Sequence, residues 1–382
     1  MKAVTASHIP SVNALVREHP GTISLGQGVV HYGPPDEARA GVERFFQDPE
    51  NHKYKSESGI PALIDAFRDK LEAENRFRIG EDSRVVVTAG SNMGFLNAVL
   101  AVADPGDEII LPTPYYFNHE MAVTMANCRP VLVPTDSQYR LRLGALEAAI
   151  TPRTRAILTV SPNNPTGVVF SEASLRATNA LCRERGIYHI CDEAYEYFVY
   201  GSARHFAPGS IAGSEGHTIT LHTLSKTYGF ASWRIGSLVI PVHLNEAVKK
   251  AQETNAICPP VISQFAALGA LEAGAAFRAP RLAELAATRA IFLRELEALR
   301  GRCDVSPSEG AIYLFLRLHM DGHPMTVIER LVKEYGVAVL PGTDFGVSDG
   351  CSLRVSYGAL PQAMAAEGVG RLVRGLKAII GN

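Results

Sequence analysis

The chain has little with which to cross-link itself, cross a membrane or hold a polyanion. Its six cysteines (Cys128, Cys182, Cys191, Cys258, Cys303 and Cys351) are scattered through 382 residues without a single C-x-x-C pair. That excludes a disulfide framework and a thiolate zinc knuckle, and it fits the reduced thiols of a cytoplasmic protein. No apolar run approaches the ~20 residues of a membrane helix. The first twenty residues carry Lys2, His8, Arg17, Glu18 and two prolines, which is not the pattern of a secretory leader. Neither sign of charge dominates: 37 Lys and Arg stand against 39 Asp and Glu, and the isoelectric point is about 6.6. The chain therefore lacks the basic footprint of a nucleic-acid or membrane-surface protein, and small metabolites are the expected partners. No G-x-x-x-x-G-K-[ST] occurs, so a P-loop is excluded, and "GQGVVH" (26–31) lacks the third glycine of a dinucleotide fingerprint. Repeats and low-complexity tracts are absent too. In "HMDGH", His319 and His323 are four apart, but Gly322 and Pro324 favour a turn over a ligand-bearing helix face, and no metal is expected.

What is present is a large apolar complement, 46% of residues, enough for more than one core at this length. Short β-rich runs recur at 85–89, 108–112, 130–134, 156–160, 187–193, 218–222 and 237–241, most of them separated by helical patterns or long connections. Such runs predict an α/β domain of three layers, with a mainly parallel, seven-stranded sheet covered on both faces by helices. Ligands of such a sheet bind at the carboxyl ends of its strands. After "VVVTAG", Ser91 is expected to cap a helix in which Met93, Leu96, Leu100 and Ala103 share one face and Phe95, Val99 and Val102 another. From about residue 280 the texture changes. "RLAELAATRAIFLRELEAL" reads as a long amphipathic helix, and "AIYLFLRL", "GVAVLPG" and "SLRVSYG" read as strands of a smaller α+β domain. The expected division is an N-terminal arm and part of the small domain over 1–47, a large domain over 48–285, and the C-terminal small domain over 286–382.

The strand ends carry a polar set. "AGSN" puts Gly90, Ser91 and Asn92 at a strand-to-helix turn, where free N–H groups and the helix dipole favour a phosphate, although an ordinary cap would look the same. Arg234 adds a planar fork for bidentate phosphate contact. Asp192 ends an apolar strand; it either caps an expected helix over "EAYEYF" or holds a proton on a heterocyclic nitrogen. Tyr195, three residues on, could offer its phenol to a ring oxygen. "NNPTG" is a turn, and Pro165 biases Asn164 toward extended geometry, with its amide aimed at the crevice. Tyr115 and Tyr116 offer flat faces. Lys226 stands among Thr223, Ser225, Thr227 and Tyr228 with no acid nearby in sequence, which is unusual for a solvated lysine stem. Phosphate donors, a stacking ring, an acid for a ring nitrogen, groups for a ring hydroxyl and an amine together describe a site for pyridoxal 5'-phosphate, with Lys226 able to condense with its aldehyde.

The ordered blocks "NPTG", "DEAY", "SK" and "WRIG", running from "ISLGQG" near residue 23 to "SLRVSYG" at 352–358, resemble the class I/II aminotransferases of the fold type I pyridoxal-phosphate family. That resemblance implies an aspartate-aminotransferase-like fold. It makes Lys226 the Schiff-base lysine, pairs Asp192 with the pyridinium nitrogen, sets Asn164 and Tyr195 on the ring oxygen and stacks Tyr116 on the ring. Ser91, Asn92, Thr223 and Arg234 would hold the phosphate. Arg354, with Asn164 and the backbone at Gly28, would bind the substrate carboxylate, and Tyr54 would cross to the neighbouring site of a homodimer. The implied reaction moves an amino group between an L-amino acid and a 2-oxo acid. β-Lyases and cyclising or oxidative enzymes share such a site and remain open, while a nicotinamide oxidoreductase leaves Lys226 unexplained. A non-enzymatic effector domain of a transcription regulator is disfavoured, since fewer than thirty residues precede "ISLGQG". Four positions depart from the family pattern: Val30 and His31 replace a proline and an acid beside the expected substrate entrance, Ser232 replaces a glycine, and Thr223 replaces a serine.

Overall fold

The computed structural model describes residue 4 and residues 6–381; residues 1–3, with Lys2, together with residues 5 and 382 lie outside it. Its centre is a seven-stranded sheet in the order Ser83–Thr88, Gly236–Pro241, Thr218–Thr223, Tyr188–Asp192, Thr154–Val160, Glu108–Thr113, Arg129–Pro134. Every pairing is parallel except the two made by Gly236–Pro241. All seven β-rich runs of the sequence are therefore strands of one sheet. Six of them end at the same edge, where the seventh begins.

Alternation along the strands explains the three layers. Val86, Ile109, Leu111, Ala156, Leu158, Leu238 and Ile240 face helices Gly90–Val102, Phe117–Met125 and Asn245–Ala256. Val85, Val87 and Val239 face helix Pro61–Asn75 and the start of Val261–Leu296, while Ile110 and Ile157 meet Leu146, Leu181 and Cys182. Apolar side chains on both faces make the strands read as unbroken hydrophobic runs.

A four-stranded antiparallel sheet, in the order Leu340–Pro341, Cys351–Ser356, Tyr313–Leu318, Cys303–Val305, forms a second core. Val12, Leu25, Leu285, Phe292, Leu331, Leu372 and Leu376 pack into it. Part of the N-terminal segment joins this unit, where Ile23–Ser24 pairs in parallel with Val337–Ala338, whereas helix Asp36–Phe46 packs on the other core. The expected strand "GVAVLPG" is thus divided into two short pieces that serve different sheets.

Several local expectations give way to tertiary packing. The helix after "VVVTA" starts at Gly90 with Ala89 as its N-cap and no side-chain cap, so Ser91 lies inside its first turn. Phe95, Ala98 and Val99 form its buried face and Leu100 is 47% exposed, so the face beginning at Met93 is the outer one. "EAYEYF" forms turns, not a helix, and the Asp192 carboxylate accepts the Ala194 N–H at 3.0 Å to shape the first of them. The long helix begins at Val261, well before residue 281, and runs to Leu296 with a break at Gly274 (φ 53°, ψ −140°). Its first part covers the large sheet and its second enters the small core, so it crosses the boundary expected at 285/286.

Two glycines let this helix lie against helix Asp36–Phe46. A Cβ at Gly269 would overlap the Glu37 carbonyl oxygen, and one at Gly41 the Phe265 carbonyl oxygen. Backbone cannot move aside as a side-chain rotamer can. Gly269→Ala should therefore cost near the upper end of the about 1–3 kcal/mol typical of overpacking, outweighing the ~1 kcal/mol gained in helix propensity. The urea unfolding midpoint should fall; a midpoint at or above that of the parent chain would contradict the close approach.

Candidate active site

The common edge of the large sheet opens into a cavity of about 380 Å³, within the usual size of small-molecule sites. Gly28, Ser91, Asn92, Tyr116, Asn164, Asp192, Tyr195, Thr223, Lys226, Arg234 and Arg354 all line it. Every site residue expected from sequence is thus brought together except Tyr54, which is 76% exposed and lies in a separate groove.

At one end, the first turn of Gly90–Val102 presents Ser91 and Asn92. Arg234 lies over this turn: its Nη2 donates to Ala89 O at 3.3 Å, and a Cβ at Gly90 would overlap the guanidinium. Arg234 Nη1 donates to Ala231 O at 3.0 Å and reaches Ser225 Oγ at 3.3 Å, and Thr223 Oγ1 donates to Ser225 Oγ at 2.9 Å. Arg234 has φ 55°, a left-handed conformation uncommon outside glycine that directs the side chain back across the edge it has just reached. Free helical N–H groups, three hydroxyls or amides and a guanidinium make an anion cradle.

Asp192 is buried at the floor, with His119 Nε2 3.0 Å from its Oδ2. His119 was not singled out from the sequence; it follows Tyr116 by three residues, one helical turn along, and meets that ring edge-on at 5.3 Å. Tyr195 is buried and its hydroxyl lies 2.6 Å from that of Tyr313. Burial first, then the neighbouring Tyr313, holds the Tyr195 phenol well above its ordinary pKa, and burial raises Tyr116 as well. Both phenols keep their protons at neutral pH and are hydrogen-bond donors.

Lys226 is exposed only to the cavity, and its Nζ donates to Gly28 O at 2.6 Å. Desolvation is the largest influence on this amine. With Arg354 and Arg234 nearby, it lowers the pKa to about 8, against a smaller opposing pull from Asp192. Arg354 is buried, donating from Nη1 to Asn164 Oδ1 at 3.1 Å and from Nη2 to Gly26 O at 2.6 Å, while its Nε lacks a protein partner. Its guanidinium lies 4.4 Å from the Tyr313 ring centroid and 4.8 Å from that of Phe345. Tyr313 also explains Gly28, where a Cβ would come within 2.5 Å of the Tyr313 hydroxyl. Nothing in "AIYLFLRL" sets this tyrosine apart from a core aromatic; only pairing of Tyr313 with Ser356 in the antiparallel sheet, two residues from Arg354, brings it here.

Other expected positions lie outside the cavity. Val30 is buried in the small core, and His31 Nε2 sits 3.1 Å from Glu284. His222 is buried behind the lysine loop, 3.2 Å from Thr220 Oγ1 and 3.6 Å from Glu196, which also receives Lys70. His319 pairs with Asp304 at 3.0 Å, and His323 caps helix Pro324–Tyr335 through Met325 N.

The donor set fits a phosphorylated pyridine aldehyde. A cradle of N–H, hydroxyl and guanidinium groups stands at one end and a buried carboxylate on the floor. Two phenols that retain their protons line the wall, and beside them is an amine partly neutral near pH 8. Comparison with known proteins gives the same direction. The chain is 34% identical over 379 residues to an aromatic aminotransferase of Arabidopsis thaliana, covering 97% of this chain and 93% of that one. It is 33% identical over 371 residues to an aspartate/prephenate aminotransferase of Thermus thermophilus, covering 94% and 93%. The solved aspartate aminotransferase of Rhizobium meliloti superposes with a TM-score of 0.91 at 30% identity, over 98% of this chain and 97% of that chain. Residues 20–372 match the family model of class I and II aminotransferases, and with relatives this similar over nearly their whole lengths, the chain belongs to that family, with the aspartate-aminotransferase-like fold.

Proposed function

We propose that this aminotransferase binds pyridoxal 5'-phosphate in the cavity through Lys226 and uses it to move an amino group between an L-amino acid and a 2-oxo acid. The carrying observation is a buried amine with a pKa near 8, standing between an anion cradle and a second, buried arginine. Ser91, Asn92, Thr223 and Arg234 would hold the phosphate. Asp192, kept in place by His119 and the Ala194 N–H, would pair with the ring nitrogen. Asn164 and the Tyr195 phenol would meet the ring oxygen, and Tyr116 would lie on the ring face. When bound, the group supplies a conjugated ring that takes up the electron pair left at Cα of the amino acid. Arg354 binds the α-carboxylate, using the fork geometry that suits a carboxylate, beside the backbone of Gly28. This orients the Cα–H toward Lys226, whose free amine accepts that proton at Nζ and later returns it.

A large cofactor-binding domain and a C-terminal small domain are proposed on the separation of the two cores, with helix Val261–Leu296 spanning the 285/286 boundary and helix Asp36–Phe46, inside 1–47, packed on the large domain. A cytoplasmic setting is proposed on the six free, buried cysteines. A homodimer is proposed on the exposed apolar groove that holds Tyr54, next to Phe46 (61% exposed) and Ile257. In that dimer Tyr54 would contact the neighbouring copy's phosphate.

Borohydride reduction with pyridoxal phosphate, followed by peptide mass mapping, should label Lys226 alone, and Lys226→Ala should lose at least about a hundredfold in turnover; a label on another lysine defeats the assignment. Because the neutral amine is the reactive form, capture of the aldehyde by apoprotein should rise with pH up to about 8 and level off above it. An ordinary lysine would keep rising toward 10.5. Arg354→Met removes one depressing cation and should move this midpoint upward in stopped-flow absorbance; a midpoint unchanged or lower would contradict the electrostatic account. Sedimentation should give a dimer, and Tyr54→Phe should weaken cofactor binding about tenfold in equilibrium dialysis by loss of a charge-assisted hydrogen bond, while sedimentation stays unchanged. A monomer, or unaltered binding, counts against a shared site.

A further inference from the structure

Tyr313 is buried, yet it lines the cavity, and three groups of the site meet it. Its hydroxyl lies 2.6 Å from that of Tyr195, with the two rings near edge-on at 5.5 Å. The same hydroxyl stands beside Gly28, whose carbonyl oxygen accepts from Lys226 Nζ. The Arg354 guanidinium lies over the ring at 4.4 Å. Register accounts for this last contact: Phe315 is opposite Arg354 and Tyr313 opposite Ser356, so Tyr313 is the diagonal neighbour of Arg354 on one face of the sheet.

The space at Gly28 is reserved for the hydroxyl and not for the ring. The backbone of Gly28 is outside the left-handed region, so conformation does not demand a glycine there. A Cβ would stand 2.5 Å from the Tyr313 oxygen but 3.5 Å from the carbon that bears it, which is ordinary contact. A phenylalanine at 313 would fill the core equally well without that constraint.

Proton counting decides what the paired hydroxyls do. Burial keeps a proton on each phenol at neutral pH, against a lowering influence of Arg354 on both. One proton lies between the two oxygens, and either oxygen could supply it. In the reading above, Tyr195 directs its own proton to the ring oxygen of the cofactor. Its oxygen is then an acceptor, and Tyr313 is the donor that meets it. Among the described residues the Tyr313 hydroxyl has no other hydrogen-bond partner to compete for that proton. A donor behind Tyr195 polarises the Tyr195 O–H and strengthens the bond this group makes.

We infer that Tyr313 is a positioning residue of the transfer reaction: its hydroxyl commits the Tyr195 proton to the ring oxygen, and its ring holds the Arg354 fork in place for the α-carboxylate. This rests on the cofactor-dependent reading proposed above. The hydroxyl is tested by equilibrium dialysis of pyridoxal phosphate against apoprotein, in a cycle of Tyr195→Phe, Tyr313→Phe and the double variant. Tyr313→Phe alone should weaken binding about fivefold, the size of one hydrogen bond. In the Tyr195→Phe background the same change should bring no further loss, because no phenol is left to direct. The ring is tested in single turnovers of the holoenzyme with alanine. Its apparent dissociation constant should stay within about twofold of the parent in Tyr313→Phe and rise about tenfold in Tyr313→Leu, which removes the aromatic face from the guanidinium. The phenylalanine variants keep the ring and its packing, so the cycle stays decisive should Tyr313→Leu not fold. Additive losses in the cycle, as from a side chain that only fills space, or equal alanine binding by the Leu and Phe variants, overturn the inference while borohydride labelling of Lys226 leaves the transfer reading standing. Failure of that label in the parent protein defeats the reading itself, and this inference with it.

Discussion

Backbone closeness at Gly236 is the constraint on which the cavity depends. Gly236 pairs with Thr88 on one side and with Thr223 on the other, and a Cβ there would stand 2.5 Å from His222 O and 3.1 Å from Ser91 N. Three chain segments therefore meet around one hydrogen side chain: the start of helix Gly90–Val102, the end of the strand leading to Lys226, and the start of the only antiparallel strand of the large sheet. Reversal of that strand is functional in its consequence. A parallel strand would deliver its carboxyl end here, whereas this one delivers the residues before it, Arg234 among them.

With the edge assembled, electrostatics follows. Three cations surround one carboxylate in a confined space, so the cavity prefers anions and weakens the proton hold of the one cation that can release a proton. Desolvation presses first on the Lys226 proton, and because arginine stays charged in any protein environment, the like charge of Arg354 and Arg234 presses on it as well. The same arrangement thus recruits acidic ligands and readies an amine among them.

The four-stranded antiparallel sheet is not an appendage to this site. It contributes Arg354 from its central strand, Tyr313 from the neighbouring strand and Phe345 from the turn that follows Leu340–Pro341, and it is tied across the cavity by the Arg354–Asn164 hydrogen bond. Residues 8–24, though first in sequence, pack with this sheet through the pairing at Val337–Ala338 and through His8 on Asp344. Binding of a carboxylate to Arg354 consequently bears on both cores.

Short-range signals in the sequence determined a great deal. Most strands of the large sheet were legible because they bury both faces, which writes an apolar run, while the edge strand Arg129–Pro134, only partly buried, still carries an apolar β-branched core; the polar set was legible because hydroxyls, amides and lone charges directly after such runs have few other uses. Lys226, Asp192, Asn164 and Arg234 stood out for that reason, whereas Arg354, inside the strand Cys351–Ser356, was implied only by the family resemblance. Where a local preference was weak, the fold decided. Ser91 had the chemistry of a cap but lies inside the helix, since Arg234 and the sheet edge fix where the chain turns. "EAYEYF" had helical composition but became turns, because the Asp192 carboxylate engages the Ala194 N–H and Phe198 must reach the small core. His119, Tyr313, Ile9 and Phe117 gave no signal of a role: each looks like an ordinary apolar or aromatic position in its own segment. Their place at the site depends on pairings between residues tens to hundreds of positions apart, from Tyr313 with Ser356 to His8 with Asp344, and such pairings are set by tertiary packing rather than by any one stretch of chain.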